Sequence, residues 1–451
     1  MAFMDLSGKS ILVIGLGKTG IASARFLAGK GANVSITDEK PLTELKGAIR
    51  ELGNAYVNLE FRKYDPVSLS RVDLIIPSPG VPPSNILLVK AVNEKIPILS
   101  EIEIAYRFLK LPMIAITGTN GKTTTTTLIG NILRKAGKKA FVGGNIGNPL
   151  IGYVEGKQDD DYVVVEVSSF QLQWIQYFHP YVSILLNTTC DHVDYHGSFE
   201  AYRMAKESIF ANQGESDLAI LNADEPISST LAADMVSQVQ LFSSTTKVSK
   251  GMFLENNSLV HNTTHGDREE YPLDMIKIPG LHNVENVMAS IMASRYCGCS
   301  PVSIISAVAD FKGISHRIEF TDEKNGVAFY DDSKGTNVGA VARALETFTR
   351  PIILLMGGRD KEGDFETLRP LVRAKVKELV LFGEARNRIN DLIGGVVKTS
   401  KATTLKEAIE VAYRHSSPGD VVLLSPGCAS FDEFSNYKER GRFFKDAVKN
   451  L

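Results

Sequence analysis

The chain has 451 residues, 50 Lys+Arg against 52 Asp+Glu, and 43% hydrophobic residues. Such a length predicts about three domains, and ordinary globular usage excludes a largely disordered or low-complexity chain. A net charge of −2 with no basic stripe argues against a nucleic-acid partner. No apolar run approaches the roughly 20 residues that span a bilayer, and the start Met-Ala-Phe-Met-Asp lacks the basic segment of a signal peptide, so membrane insertion is not expected. Cys190, Cys297, Cys299 and Cys428 form no paired metal-type spacing, and a reduced, cytoplasmic protein is the default expectation.

β-Branched runs alternate with helical stretches, the pattern of α/β layers around mostly parallel sheets. In the first block strands are predicted at Ser10–Gly15, Asn33–Thr37 and Asp73–Pro77, with helices over Thr19–Gly29 and Pro83–Glu94. Gly15-Leu16-Gly17-Lys18-Thr19-Gly20 joins the first strand to the first helix, and Asp38 ends the next strand. Glycines there let backbone N–H groups approach a diphosphate, and an acid at that distance suits a ribose. The motif fits NAD, fits another nucleotide diphosphate such as a UDP-sugar, and also fits a tight turn with no ligand.

The second block opens at Pro112 with the buried-strand run Met-Ile-Ala-Ile-Thr and continues through strands at Tyr162–Val167, Val182–Asn187 and Asp217–Leu221. Gly118-Thr119-Asn120-Gly121-Lys122-Thr123 follows the first of these and precedes a helix. Strand, glycine loop, lysine, hydroxyl and helix are the parts of a P-loop, with backbone amides and Lys122 for phosphates and Thr123 for Mg²⁺. The first glycine stands only three residues before Gly121, closer than in the usual pattern. Glu166 ends a strand at the ligand-binding edge of such a sheet and is suited to hold Mg²⁺. Cys190, His192 and His196 lack a fourth ligand at zinc spacing. Lys206 reads, on spacing alone, as a solvated helix lysine, and Asn283 and Asn286 as helix-capping residues. Residues 248–271 are polar and poorly periodic, consistent with hairpins or a surface excursion.

In the third block strands are predicted at Ala328–Asp331, Ile352–Met356, Leu379–Phe382 and Val421–Leu424. His316-Arg317 precedes the first of these strands. Polar clusters follow three of the strands: Asp331 to Asn337, Gly357 to Lys361, and Ser425 to Asp432. Three clusters at strand ends argue for one working face. Boundaries near Arg107–Leu111 and Gly313 divide the chain into residues 1–109, 110–313 and 314–451.

Taken together these residues resemble the Mur ligase family of ATP-dependent amide ligases of peptidoglycan precursor synthesis, over nearly the whole chain. The telling segments are Gly118 to Thr124, Asp332 to Asn337 and Ser425 to Ser430. Gly15 to Gly20, Val165 to Leu172 and Gly144-Asn145-Ile146-Gly147 look most like the member that adds D-glutamate to UDP-N-acetylmuramoyl-L-alanine. The resemblance implies a Rossmann-like N-terminal domain for the UDP part, a central P-loop ATPase-like domain, and a C-terminal Rossmann-like α/β domain for the amino acid. It implies that Gly15, Gly17, Lys18, Thr19, Gly20, Asp38, Ser78 and Gly80 serve UDP, with Asn145 and His192 beside the muramoyl-alanine end. ATP falls to Gly118, Thr119, Asn120, Gly121, Lys122, Thr123 and Thr124, with Asn286, Arg317 and Asp332. Lys334, Thr336, Lys361, Ser430 and Tyr437 fall to D-glutamate, although Tyr437 stands where that member often has phenylalanine. Two Mg²⁺ ions are implied, held by Thr123, Glu166, His192 and Lys206. Lys206 matches a lysine that is carbamylated in the family, which replaces its solvated reading. A monomer is expected. Competing readings are another Mur ligase, a folylpolyglutamate synthase, a non-ligating nucleotide-binding regulator, and an NAD-dependent oxidoreductase that would leave the P-loop unexplained.

Overall fold

The computed structural model describes residues 4–53, 57–59, 66–263, 266–360 and 362–451. Two compact units share the chain: Met1–Leu273 with Asn286–Val308, and Asp274–Glu285 with Ala309–Leu451. The first unit holds two sheets and the second holds one.

The N-terminal sheet comprises β1 (Ser10–Ile14), β2 (Asn33–Thr37), β3 (Val57–Leu59) and β4 (Leu74–Pro77), in the order β3-β2-β1-β4 and all parallel. Ile11 pairs with Val34 on one side and Leu74 on the other. The helix Lys18–Gly29 follows β1 as expected. The helix expected over Pro83–Glu94 starts only at Ile86, because Asn85 caps it by accepting from the Leu87 amide at 3.0 Å.

The central sheet comprises β5 (Met113–Thr117), β6 (Ala140–Gly144), β7 (Tyr162–Glu166), β8 (Val182–Leu185), β9 (Leu218–Asn222), β10 (Gln238–Ser243), β11 (Gly251–Glu255), β12 (Ser258–Asn262) and β13 (Arg268–Pro272). Its order is β13-β12-β11-β10-β9-β8-β5-β7-β6. Pairing is parallel from β6 to β11, and β11 to β13 form an antiparallel meander in the stretch expected to hold hairpins. β5, buried along its whole length, pairs with β7 on one side and β8 on the other. The chain visits β6 and β7 on one flank of β5 before crossing to β8 on the other. The carboxyl end of β5 is therefore the topological switch point, where an open α/β sheet leaves a crevice for a ligand.

A linker helix, Glu101–Phe108, joins these two sheets. Its Ile102, Ile104 and Ala105 belong to one apolar cluster that runs from Val13 of the N-terminal sheet to Val165 of the central one. Buried Glu103 accepts from the amides of Gln176, Tyr177 and Phe178 and from Arg107 at 2.8 Å. Trp174, the single tryptophan, packs on the opposite face of the N-terminal sheet, against the cluster of Leu12, Ile14 and Ile75.

The second unit's sheet comprises β14 (Glu319–Lys324), β15 (Val327–Asp331), β16 (Ile352–Gly357), β17 (Val376–Phe382), β18 (Lys398–Lys401) and β19 (Val421–Gly427), ordered β14-β15-β19-β16-β17-β18. Only β14 is antiparallel to its neighbour. The expected parallel α/β architecture is what each sheet shows, with antiparallel strands confined to edges.

The N-terminal glycines separate two roles. A Cβ at Gly20 would fall 1.9 Å from the Gly15 carbonyl oxygen, whereas at Gly17 it would meet nothing within 4 Å. Gly20→Ala is expected to lower stability by about 2 kcal/mol through overpacking, and Gly17→Ala to leave it nearly unchanged. Urea unfolding of both variants checks this.

Candidate active site

The loop after β5 is shaped by two glycines with positive φ, Gly118 at 150° and Gly121 at 85°. Gly121 caps the helix Lys122–Lys135, so the loop's amides lie at a helix N-terminus, the natural seat of an anion. The loop after β8 holds it in place. Asn187 accepts from the Asn120 amide at 2.9 Å through its side chain and from the Thr119 amide at 3.0 Å through its carbonyl. The Thr119 hydroxyl meets the Thr189 amide at 3.0 Å and the Tyr202 hydroxyl at 2.9 Å. Lys122 folds back to donate to the Gly118 and Thr119 carbonyls at 2.6 and 2.8 Å. Asn286 lies over the loop, with its Oδ1 only 2.2 Å from where a Cβ on Gly121 would stand.

Beside this loop stands the carboxylate of Glu166, buried at the end of β7. Its Oε2 accepts from the Thr123 hydroxyl at 2.7 Å and its Oε1 from the Asn145 amide nitrogen at 2.9 Å. The loop after β6 is further tied to the same strand end, since the Asn145 backbone donates to the Glu166 carbonyl at 2.8 Å.

Lys206 is not a solvated lysine. It is 2% exposed, because Tyr202 and Lys206, four residues apart, share the buried face of the helix Phe199–Glu207. Its Nζ donates to the Gly118 carbonyl at 2.9 Å, the same oxygen that Lys122 reaches. Burial, and then the charge of Lys122, hold its ammonium well below the usual lysine range, against the opposing pull of Asp191 and Glu166.

His192 is exposed, with a left-handed backbone at φ 52°. Its ring lies 4.8 Å from that of Phe170, and Tyr195 and His196 pack on the same ring at 4.0 and 5.6 Å. His196 Nε2 lies 3.0 Å from the Ser169 hydroxyl. Among the described residues Cys190, His192 and His196 form no metal-sized cluster.

The N-terminal glycine loop reaches this region. Lys18 donates to the carbonyl of Gly147, two residues beyond Asn145, and Tyr195 donates to the Val81 carbonyl at 2.8 Å. Asp38 braces the loop, its two oxygens accepting from the Leu16 amide at 2.6 Å and the Lys40 amide at 2.9 Å. The Ser78 hydroxyl donates to the Gly15 carbonyl at 2.8 Å, and Gly80 has open space where a side chain would be.

In the second unit the strand ends of β15 and β19 bring two predicted clusters together. The Ser425 hydroxyl donates to Asp332 at 2.7 Å, and burial pushes the Asp332 carboxyl up to about 7, against the lowering effect of that hydroxyl and of Arg317. Lys334 lies 4.2 Å above the Tyr437 ring, and its amide donates to the His316 carbonyl at 3.0 Å. Thr336 continues the turn by donating to the Lys334 carbonyl at 2.8 Å. Ser430 is buried, two residues past Cys428. Lys361 lies outside the described residues. His316, Glu319 and Asp331 also cluster, but Lys445 is among them, 2.5 Å from Glu319 and 3.9 Å from Asp331.

Family models match three consecutive stretches: a Mur ligase MurD-like N-terminal domain over residues 9–100, a Mur ligase middle domain over 116–294, and a Mur ligase glutamate ligase domain over 316–428. A relative from Syntrophus aciditrophicus, named UDP-N-acetylmuramoylalanine–D-glutamate ligase, is 61% identical over 450 residues, covering 100% of this chain and 99% of its own. The chain belongs to the Mur ligase family. A second relative of the same name, from Geotalea daltonii, is 46% identical over 448 residues and covers 99% of each chain. Among solved structures, a pseudomurein peptide ligase type C from Methanothermus fervidus superposes with a TM-score of 0.61 at 19% identity, over 98% of this chain and 100% of that one. The UDP-N-acetylmuramate–alanine ligase of Thermotoga maritima gives 0.58 at 21%, over 98% and 99%. These two share the three-domain Mur ligase fold.

Several residues of this Mur ligase's site escaped the sequence. Asn187 and Tyr202 hold the P-loop, yet a strand-end asparagine and a helix tyrosine carry no local signal for that. Arg440, fully buried, donates to the carbonyls of Ser333, Cys428 and Ala429 at 2.9, 3.0 and 3.2 Å, and burial lowers its guanidinium to about 10. It ties the Asp332 and Ser425 loops together from the helix Tyr437–Lys449.

Gly121→Ala combines a positive φ with a collision on Asn286. About tenfold weaker ATP binding is expected, equivalent to roughly 1.4 kcal/mol, with UDP-substrate binding retained. Calorimetric titration with each ligand checks both halves.

Proposed function

We propose that this chain joins D-glutamate to UDP-N-acetylmuramoyl-L-alanine using ATP, in the cytoplasm, as a step of peptidoglycan precursor synthesis. The observation that carries this is the 61% identity along the full length to a relative of that name. The chemistry of the site agrees with it. The alanyl carboxylate takes the γ-phosphoryl group of ATP, giving an acyl phosphate and ADP. The amine of D-glutamate then attacks the activated carbonyl, loses a proton, and expels phosphate as the amide forms.

Family membership and the local geometry support the following residue roles. The Gly118–Thr124 loop and Asn286 hold ATP, and Lys122, already poised over the loop carbonyls, meets the charge of its phosphates. Arg317 and Asp332 of the second unit serve the same nucleotide. The loop of Gly15, Gly17, Lys18, Thr19 and Gly20, with Asp38, Ser78 and Gly80, takes the UDP part. Asn145 and His192 orient the muramoyl-alanine end. Lys334, Thr336, Ser430 and Tyr437 of the second unit, with Lys361, take D-glutamate.

The donors present fit Mg²⁺. Thr123 and Glu166 offer hard oxygens in direct contact with each other, the type of ligand Mg²⁺ prefers. Lys206 offers a buried amine whose charged form is disfavoured by burial; its neutral form is the one that adds CO₂: an N–C bond forms, a proton leaves, and an anionic carbamate results. Thr123, Glu166, His192 and carbamylated Lys206 would hold the metal. Mg²⁺, when bound, supplies charge neutralisation for phosphoryl transfer.

Two experiments test this reading. Lys122→Ala is expected to abolish turnover while UDP-N-acetylmuramoyl-L-alanine still binds by calorimetry, with no comparable affinity for NAD; retained turnover overturns the P-loop role. Lys206→Ala is expected to lose nearly all activity, with partial rescue by added short carboxylic acids. Lys206→Arg keeps the charge but supplies no oxygen ligand, so full activity in that variant refutes the carbamate. Intact-mass measurement under CO₂ should show the wild-type adduct and none in either variant.

A further inference from the structure

Glu101, the first residue of the linker helix, has a buried carboxylate that the mechanism does not use. It points at the two helices that begin just past the loops carrying Asn145 and Glu166. Its Oε1 accepts from the Ile151 amide at 2.7 Å, in the first turn of the helix Leu150–Glu155. That helix has no side-chain cap of its own, so Glu101 satisfies its exposed amides from another element. Its Oε2 accepts from the Gln171 amide nitrogen at 3.4 Å. Gln171 is itself fixed, because its Oε1 accepts from both the Ser168 amide and the Ser168 hydroxyl at 3.0 Å in a reciprocal cap of the turn Ser169–Leu172. Ser168 is two residues from Glu166.

We propose that Glu101 is a positioning residue for this site: its one carboxylate sets the spacing between the loop that carries Asn145 and the strand end that carries Glu166. The two loops are already joined at the site itself by the Asn145–Glu166 contacts. Glu101 joins them a second time from behind. A tie at a second depth fixes the angle between the loops more firmly than the two hydrogen bonds at the site do alone. The effect reaches the Glu166 end only through Gln171 and the Asn145 loop only through Ile151. It rests on the reading of Glu166 as a metal-holding carboxylate.

Glu103, two residues along the same helix, is the matched control. It is equally buried and also accepts backbone amides, but on the Gln176–Phe178 segment and not on the two site loops. In Glu101→Gln the new amide can still accept from Ile151, but its nitrogen opposes the Gln171 nitrogen, so the tie breaks while the helix cap survives. Mn²⁺ binding in the presence of ADP, followed by electron paramagnetic resonance, should weaken about tenfold in E101Q, the scale of losses on removing a partner behind a metal ligand. Amide exchange in residues 166–172 should rise, and calorimetric affinity for the UDP-substrate should stay near the wild-type value. E103Q should lower thermal stability and leave Mn²⁺ affinity unchanged. Wild-type Mn²⁺ affinity in E101Q, or an equal loss in E103Q, overturns the proposal. If E101Q does not fold, Glu101→Asp, too short to reach both partners, is judged by the same outcomes. E166Q separates the two readings: if it binds Mn²⁺ like the wild type, the metal role of Glu166 fails, and the exchange rate of residues 166–172 in E101Q still decides the tie.

Discussion

Two lysine side chains converge on one carbonyl oxygen, that of Gly118. Like charges that close repel by several kcal/mol when partly removed from water, on the order of 4 at 4 Å for an effective dielectric of 20. Lys122 is only partly buried, while Lys206 is enclosed, so the conflict weighs against the charged form of Lys206. The conflict exists because Gly118 adopts a backbone that turns its carbonyl toward the helix Phe199–Glu207, at a φ open to glycine. Tyr202, one helical turn before Lys206, holds Thr119, and Asn187 holds Asn120, so the loop cannot rotate the carbonyl away. Conversion of Lys206 to an anion would turn the repulsion with Lys122 into attraction, which gives the proposed carbamate an electrostatic reason apart from metal binding.

The second unit solves a related problem with the opposite charge arrangement. Burying the Arg440 guanidinium carries a large desolvation cost. Three carbonyls from two loops offset it, and the planar fork of donors suits several acceptors at once better than an ammonium would. The result is that the loops of Ser333 and Cys428, over 90 residues apart in sequence, are held by one side chain.

Much of this was legible from residues alone. Fully buried parallel strands such as β5 and β16 read clearly, because both faces are apolar and the run is short. The glycine loops read clearly too, because only a few residue types permit their backbone. Short or polar edge strands such as β3, β14 and β18 did not: with one face solvated and charges in the run, Glu319–Lys324 has no alternating pattern to find. Helix placement of Lys206 was legible but its burial was not, since four of the nine residues of Phe199–Glu207 are charged and the partner face lies in another part of the chain. The capping roles expected for Asn283 and Asn286 illustrate the same limit. Asn286 lies in mid-helix over Gly121, a tertiary contact that spacing cannot encode. Partners distant in sequence, such as Asn187, Arg440 and Glu101, are invisible to any local reading.

Trp174 gives the first unit an unplanned property. It is the single indole of the chain, its N–H has no partner among the described residues, and its half-buried ring packs against the apolar cluster under the N-terminal sheet. Opening of this packing would expose the ring further to water and shift its emission to the red. Tryptophan fluorescence from the intact protein is therefore the optical signature of a single junction, the one between the N-terminal sheet and the segment that follows Glu166.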